Sequence, residues 1–319
     1  MGEFRDAIKA IIQNVEQVVL DKRQVVEMAL AAVLGGGHVL LEDVPGVAKT
    51  VLVRSLAVSS GCTFTRIQCT PDLLPTDVTG VSVYNQRSQD FEFRPGPLFS
   101  QMVVADEVNR ATPRTQSALL EAMAEGQVSV DGVTRKLTQP FTVFATQNPV
   151  EHEGTFPLPE AQLDRFMMRL SVGYPSLTAE AEMLERVRLA HPLDGLKPVT
   201  DVQSILRMQA RVREILVHKK VREYMLLLIN RTRDMTHLRL GASPRASMAL
   251  FRAAQAYAAV KGRSYVLPDD VKLLARPVLE HRLILNPESR LRRVTTESVL
   301  RDIIEETPAP VGGGSYKSA

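Results

Sequence analysis

Five short, nearly continuous apolar runs, at 38–41, 63–67, 102–105, 141–145 and 168–172, alternate with stretches of helical period over the first 175 residues. Runs this short, without polar alternation, fit strands buried on both faces of a parallel sheet. Parallel neighbours need long crossover connections, which the helical stretches supply. The pattern therefore predicts a doubly wound α/β layer structure. Ahead of it, Ile8, Ile11, Ile12, Val15, Val18 and Val19, then Val26, Leu30 and Val33, recur at three and four until Gly35-Gly36-Gly37 stops the helical period. Helices are expected at 50–60, ended by Gly61, and at 116–125, ended by Gly126. Two segments interrupt the alternation. Runs at 81–84 and 91–94 flank a polar stretch, and runs at 128–130 and 133–137 flank Asp131-Gly132, a strong hairpin turn. Both read as β-hairpins inserted into the core.

The character changes near Gly173-Tyr174-Pro175-Ser176. Beyond it no strand is expected. Helices are predicted at 178–190, 201–216, 221–234, 244–260, 269–280 and 296–306, with Thr178, Ser243 followed by Pro244, and Asp269 in N-cap positions. The resulting division is an αβα core at 1–175, a helical domain at 176–306 and a disordered tail at 307–319, rich in Pro, Gly and Ser.

A chain of 319 residues has room for two such domains. Its net charge of +3 is too small to argue for a nucleic-acid or membrane-surface protein. The distribution is less even: 1–175 carries a net −5 and the remainder +8, with 29 Arg against 10 Lys. Such asymmetry suits a partner or self-assembly surface, or two independently solvated faces. Cys62 and Cys69 show no CxxC spacing, which argues against a disulfide scaffold or zinc site. A charged N-terminus and the absence of a long apolar run predict a cytoplasmic protein without membrane insertion.

The segment EDVPGVAKT, residues 42–50, follows a predicted strand and opens a predicted helix, the setting a phosphate-binding loop requires. The loop residues Asp43, Pro45, Gly46, Val47 and Ala48 are the candidates to surround the nucleotide, with the loop's backbone N–H groups and the helix N-terminus holding phosphate oxygens. Lys49 would reach the β- and γ-phosphates, and the Thr50 hydroxyl would bind Mg²⁺. The strict GxxxxGK[ST] pattern has Asp43 and Ala48 in place of its glycines; Ala48 fits if its φ is negative, since only a positive φ penalises a Cβ. The run 102–105 ends in Asp106-Glu107: Asp106 can hold the Mg²⁺ hydration shell and Glu107 can polarise the attacking water. The run 141–145 ends in Thr146-Gln147-Asn148, where Asn148 can position that water. Three strand ends carrying Lys-Thr, Asp-Glu and Asn at one sheet edge are hard to explain as packing.

With EDVPGVAKT, the segments RIQCTPDLLPTDVTG (66–80), PGPL (95–98), ADEVNRA (105–111), ATQNP (145–149), EGTFPLPEAQLDRF (153–166), GASPRA (241–246) and PDDV (268–271) make the chain resemble MoxR-family AAA+ ATPases over nearly its whole length. The resemblance implies an AAA+ P-loop core with a five-stranded parallel sheet and two inserted hairpins, followed by an all-α lid. It implies Walker A roles for Gly46, Lys49 and Thr50, Walker B roles for Asp106 and Glu107, and sensor 1 for Asn148. Arg165 matches the arginine finger that enters a neighbouring subunit's site, and Arg245 matches sensor 2. ATP and Mg²⁺ follow as cofactors.

The resemblance further implies a homo-oligomeric ring, taken as a hexamer, with a von Willebrand factor A domain protein as partner and a client protein complex to mature or remodel. A nucleic-acid-remodelling motor, a nucleotide-gated binding module and a magnesium-chelatase-like motor subunit are the competing readings. The near-neutral charge disfavours nucleic acid. Arg110 and Arg114 either line a subunit contact or sit in an exposed loop, and Arg66 or Gln68 is a candidate for coupling nucleotide to the hairpins. The six histidines, His152 among them, show no metal-ligand pairing. The basic segment Arg207, Arg211, Arg213, Lys219, Lys220 and Arg222 lacks interleaved aromatics and reads as a solvated or subunit-facing surface.

Overall fold

A computed structural model describes residues 2–148, 154–188 and 192–310. His152 and the 311–319 part of the tail lie outside the described residues. The chain divides into two compact units, 1–212 and 213 onward.

The first unit begins with α1 (Gly2–Glu16) and α2 (Arg23–Leu34), whose buried Ile8, Ile11, Ile12 and Val15, then Val26, Leu30 and Val33, are the apolar stripes of the sequence pattern. Next come β1 (Val39–Glu42), α3 (Lys49–Ser59), β2 (Phe64–Gln68) and the short α4 (Pro75–Thr79). A first hairpin, β3 (Gly80–Asn85) and β4 (Asp90–Pro95), precedes β5 (Met102–Asp106) and α5 (Pro113–Glu125). A second hairpin, β6 (Gln127–Val130) and β7 (Val133–Lys136), precedes β8 (Thr142–Gln147), α6 (Glu160–Leu163), β9 (Met168–Leu170), α7 (Leu177–Val187) and α8 (Val202–Val212).

Strands β2-β5-β8-β1-β9 form one five-stranded sheet, with every pairing parallel. Val39, Leu40 and Leu41, Val103, Val104 and Ala105, and Val143, Phe144 and Ala145 are all buried, as strands covered on both faces must be. α5 starts three residues earlier than its apolar period suggests, because Thr112 caps it and Pro113 takes the first helical position. It ends at Gly126, which adopts φ +64°. His38 fastens the sheet to this helix. Its Nε2–H donates to the Met123 carbonyl at 2.9 Å and its Nδ1 accepts from the Val143 N–H at 3.0 Å. Burial pulls its pKa down to about 4, so the ring is neutral at physiological pH.

The two hairpins meet where the Arg135 guanidinium lies 4.0 Å from the Phe93 ring centroid, with Phe93 also packed edge-on against Phe99. At the far end of the first hairpin Tyr84 and Phe91 form an exposed edge-to-face pair.

The sequence change at 173–176 marks the end of the sheet, whereas compact packing runs on to 212. Asn14 donates to the Lys197 carbonyl and the Ser59 hydroxyl, the Val199 N–H donates to the Ser59 carbonyl, and Gln209 donates to the Val33 carbonyl. The segment 176–212 carries no net charge, so the two compact units keep the −5 and +8 of the sequence halves.

The second unit contains α9 (Lys219–Asp234), β10 (Leu238–Leu240), α10 (Pro244–Val260), α11 (Pro268–Leu279), β11 (Ile284–Leu285), α12 (Pro287–Leu291) and α13 (Thr296–Glu306). Its core is the buried Ala-rich face of α10 packed on α9 and α11. It departs from the all-α expectation where β10 and β11 pair antiparallel, Leu238 with Leu285 and Leu240 with Ile284, and where Leu216 and Tyr265 form a single parallel bridge. Strands of three and two residues are too short to register as a period. Two caps also differ. Ser176, not Thr178, caps α7, and the Asp270 carboxylate, not Asp269, accepts the Leu267 N–H at the start of α11. Buried Asp270 is held there by a paired contact from Arg263 at 2.6 and 2.7 Å.

Candidate functional site

The carboxyl ends of β5, β8 and β1 are adjacent in the sheet, and the residues after them are Glu107, Asn148 and Asp43. The strand order thus brings the loop before α3, the Asp106-Glu107 pair and Asn148 to one edge, where open α/β sheets bind ligands.

The loop from Asp43 to Ala48 turns on Gly46, whose φ of +85° only glycine adopts without strain. Pro45 and Gly46 are exposed and Val47 is buried, which anchors the loop on the core side and presents its tip outward. Ala48 is the N-cap of α3 and adopts φ +57°, so the condition of a negative φ is not met. A left-handed alanine costs about 1–2 kcal/mol relative to the right-handed form. Its methyl gives no side-chain acceptor to the first turn of α3, which leaves that positive helix end to an external anion. Lys49 and Thr50 open the helix, and the Lys49 ammonium donates to the Asp43 carbonyl at 2.7 Å.

Asp43 itself points away from phosphate binding. One carboxylate oxygen accepts the Val44 N–H at 3.1 Å. The other accepts the Val172 and Gly173 N–H groups at 2.7 Å each and the Ser171 hydroxyl at 2.9 Å. Burial pushes this carboxyl upward, but the donors from Gly173, Ser171, Val44 and Val172 outweigh it and hold it below the usual carboxylate range. Beside it, Glu42 pairs with Arg169 of β9 at 2.7 Å.

Across the sheet edge, Asp106 and Glu107 sit in a different network. Thr146, fully buried at the end of β8, donates its hydroxyl to Asp106 Oδ1 at 2.5 Å and accepts the Glu107 N–H at 2.8 Å. Asp106 Oδ2 accepts from Arg66 of β2 through Nε at 3.0 Å and Nη2 at 2.7 Å. Glu107 Oε2 accepts from Gln68 at 3.0 Å and Arg110 at 3.1 Å. Glu107 holds φ +55°, a strained setting for a residue with a Cβ and one that collects at functional sites. The nearby Cys69 thiol is pushed up to about 12 by burial and by the charges of Asp106 and Glu107. Asn148 is buried directly after β8.

The sequence picks out Arg66 and Gln68 without assigning partners and does not single out Thr146 or Ser171. Thr146 stands one step beyond the Ala105–Ala145 register pair, a relation that only the strand pairing reveals.

Comparison with known proteins fits this geometry. Residues 38–168 match the family described as ATPase family associated with various cellular activities (AAA), and 230–303 match the AAA lid domain. The chain is 49% identical over 300 residues to the uncharacterized protein YeaC of Bacillus subtilis, covering 94% of each. It is 40% identical over 312 residues to the chaperone MoxR1 of Mycobacterium tuberculosis, covering 95% of this chain and 82% of that one. The chain belongs to the MoxR family of AAA+ ATPases. A crystal structure of a Cytophaga hutchinsonii protein assigned as an ATPase, 38% identical, superposes with a TM-score of 0.89 over 97% of this chain and 96% of that one.

Two arginines of the MoxR-family pattern have distinct surroundings. Arg165, after α6, donates through Nη1 to the Leu120 carbonyl of α5, and its buried Nε has no partner among the described residues. Arg245 is exposed in the first turn of α10, which Ser243 caps by accepting the Ala246 N–H at 3.2 Å. Arg110 is committed to Glu107 within the chain, and Arg114 is exposed. Of the basic segment, Arg222 lines an open groove of about 280 Å³ between α9 and α10, together with Met225, Leu226, Met248, Phe251 and Arg252. Among the described residues no cluster of His, Cys, Asp and Glu could hold a metal by itself, and no helix is long and apolar enough to cross a membrane.

Proposed function

We propose that this MoxR-family chain is a Mg²⁺-dependent ATP hydrolase that works as a ring of identical subunits, a hexamer, and remodels or matures protein complexes. The observation that carries this reading is the convergence of Lys49-Thr50, Asp106-Glu107 and Asn148 on one edge of the parallel sheet. The Lys49 ammonium and the first-turn N–H groups of α3 bind the phosphates. The Thr50 hydroxyl and the Asp106 carboxylate are hard oxygen donors, the chemistry Mg²⁺ favours. Mg²⁺, when bound, neutralises the charge that develops on the phosphate oxygens. Glu107 takes the proton of the attacking water, and Asn148 orients that water. Arg110 and Gln68 hold the Glu107 carboxylate in the resting arrangement.

Arg165 is the residue through which one subunit completes the site of the next, and Arg245 serves the phosphates from the lid. A chaperone role is supported by the relative MoxR1, which bears that description. A partner with a von Willebrand factor A domain is part of the same proposal.

Mixed assemblies test the ring. Arg165→Ala and Lys49→Ala should each be nearly inactive alone, because an arginine finger is worth about 10³–10⁵ in rate. Mixed, they should recover hydrolysis at interfaces that unite an intact Lys49 site with an intact Arg165. Verified mixed rings with no recovery would remove the trans role.

A further inference from the structure

The strict phosphate-loop pattern has glycine where this chain has Asp43. A carboxylate at the start of a loop that binds an anion invites repulsion, so its presence calls for a reason. Asp43 is bonded on every side. Its N–H donates to the Gln147 carbonyl at 3.3 Å, one residue before Asn148. Its own carbonyl accepts the Lys49 ammonium. Its carboxylate takes three donors from Ser171, Val172 and Gly173, the first three residues after β9, and a fourth from Val44. Gly173 adopts φ +67°, and the next carbonyl, of Tyr174, accepts Lys22 Nζ at 2.7 Å.

The same residue therefore holds the lysine by its main chain and the departing strand by its side chain. If the carboxylate lets go of Ser171–Gly173, Asp43 loses its anchor to the chain after β9, and the carbonyl that orients Lys49 can shift. We propose that Asp43 is a positioning residue for nucleotide binding: it fastens the first residue of the phosphate loop to the chain leaving β9, so that loop and exit segment move as one body. The four donors also solvate the carboxylate and turn its charge toward the chain after β9, which lets an acid stand beside a phosphate site. This inference rests on the assignment of Lys49 to the phosphates.

The test uses the full-length chain and equilibrium titration with a fluorescent N-methylanthraniloyl-ADP in Mg²⁺, together with KM and kcat for ATP. Asp43→Gly restores the first glycine of the strict pattern, Ala48 still standing at the second, so a merely tolerated Asp43 predicts equal or tighter binding. The positioning role predicts the reverse: binding weaker by about tenfold, the worth of one charge-assisted hydrogen bond. KM should rise by the same factor while kcat changes less. Ser171→Ala should weaken binding by about two- to threefold and add nothing in the Asp43→Gly background, because both act through one contact. Ser171→Ala alone keeps the test open if Asp43→Gly does not fold. A lowered melting temperature with unchanged affinity in the folded range overturns the proposal. Lys49→Ala, titrated in parallel, separates the two readings: if it binds like the wild type, the assignment of Lys49 has failed and this inference with it. If it fails to bind while Asp43→Gly binds normally, only the inference has failed.

Discussion

β1 and β5 both run apolar into two adjacent acids, Leu41-Glu42-Asp43 and Ala105-Asp106-Glu107. The strands stand on either side of β8, parallel, with their acids at the same sheet edge. Yet the two pairs do opposite things. Glu42 and Asp43 spend their oxygens on Arg169 and on Ser171–Gly173, all part of β9 or the residues just after it. Asp106 and Glu107 receive Arg66, Gln68, Arg110 and Thr146, all through side chains. What separates them is the neighbour on the outer side. β1 lies beside the edge strand β9, where Asp43 meets backbone donors and Glu42 meets the Arg169 side chain. β5 lies beside β2, whose Arg66 and Gln68 project to the same edge. Asp43 is tied mainly to backbone N–H groups, which hold their place with the chain, whereas Asp106 and Glu107 are held chiefly by side chains, which can change rotamer.

That contrast can be broken experimentally. The largest effect should fall on Glu107→Gln, which keeps nucleotide binding and loses about 10²–10⁴-fold in hydrolysis, read by single-turnover kinetics. Wild-type turnover in this variant would take the base assignment away from Glu107. A smaller effect of opposite sign is expected from Gln68→Ala. The variant removes one donor from the Glu107 carboxylate and should raise basal hydrolysis about threefold, within the worth of one hydrogen bond. A fall in rate would mean that Gln68 aims the carboxylate and does not restrain it. The smallest effect belongs to Glu42→Gln, which weakens a partly exposed ion pair by about 0.5–1 kcal/mol and should leave nucleotide affinity unchanged. A change in affinity there would join Glu42 to the site and blur the distinction between the two strand ends.

Much of the fold was legible because strands buried on both faces announce themselves without any alternation. The run at 102–105 is the strand Met102–Asp106, and the run at 141–145 is Thr142–Gln147. Both hairpins were readable from their turn residues, Asp131-Gly132 above all, where both residues adopt positive φ. The β10–β11 pair was not, since its pairing joins residues more than forty positions apart. Ala48 shows the limit for backbone geometry: the residue type argues for a negative φ, but the loop and the N-cap of α3 require a left-handed turn there, and the local cost of about 1–2 kcal/mol is absorbed by the packed core around Val47 and Leu52.

The chain by itself settled the alternation of strand and helix, the loop that precedes α3, the acids after β5 and the opposite charges of its two parts, because each of these is written in neighbouring residues. Tertiary structure decided which donors each acid meets. Thr146 reaches Asp106 from 40 residues away, Arg66 reaches it from another 40, and Ser171 reaches Asp43 from 128. Hydrogen bonds of this kind depend on donors and acceptors brought within about 3 Å, and only the parallel register of the sheet brings such distant residues that close.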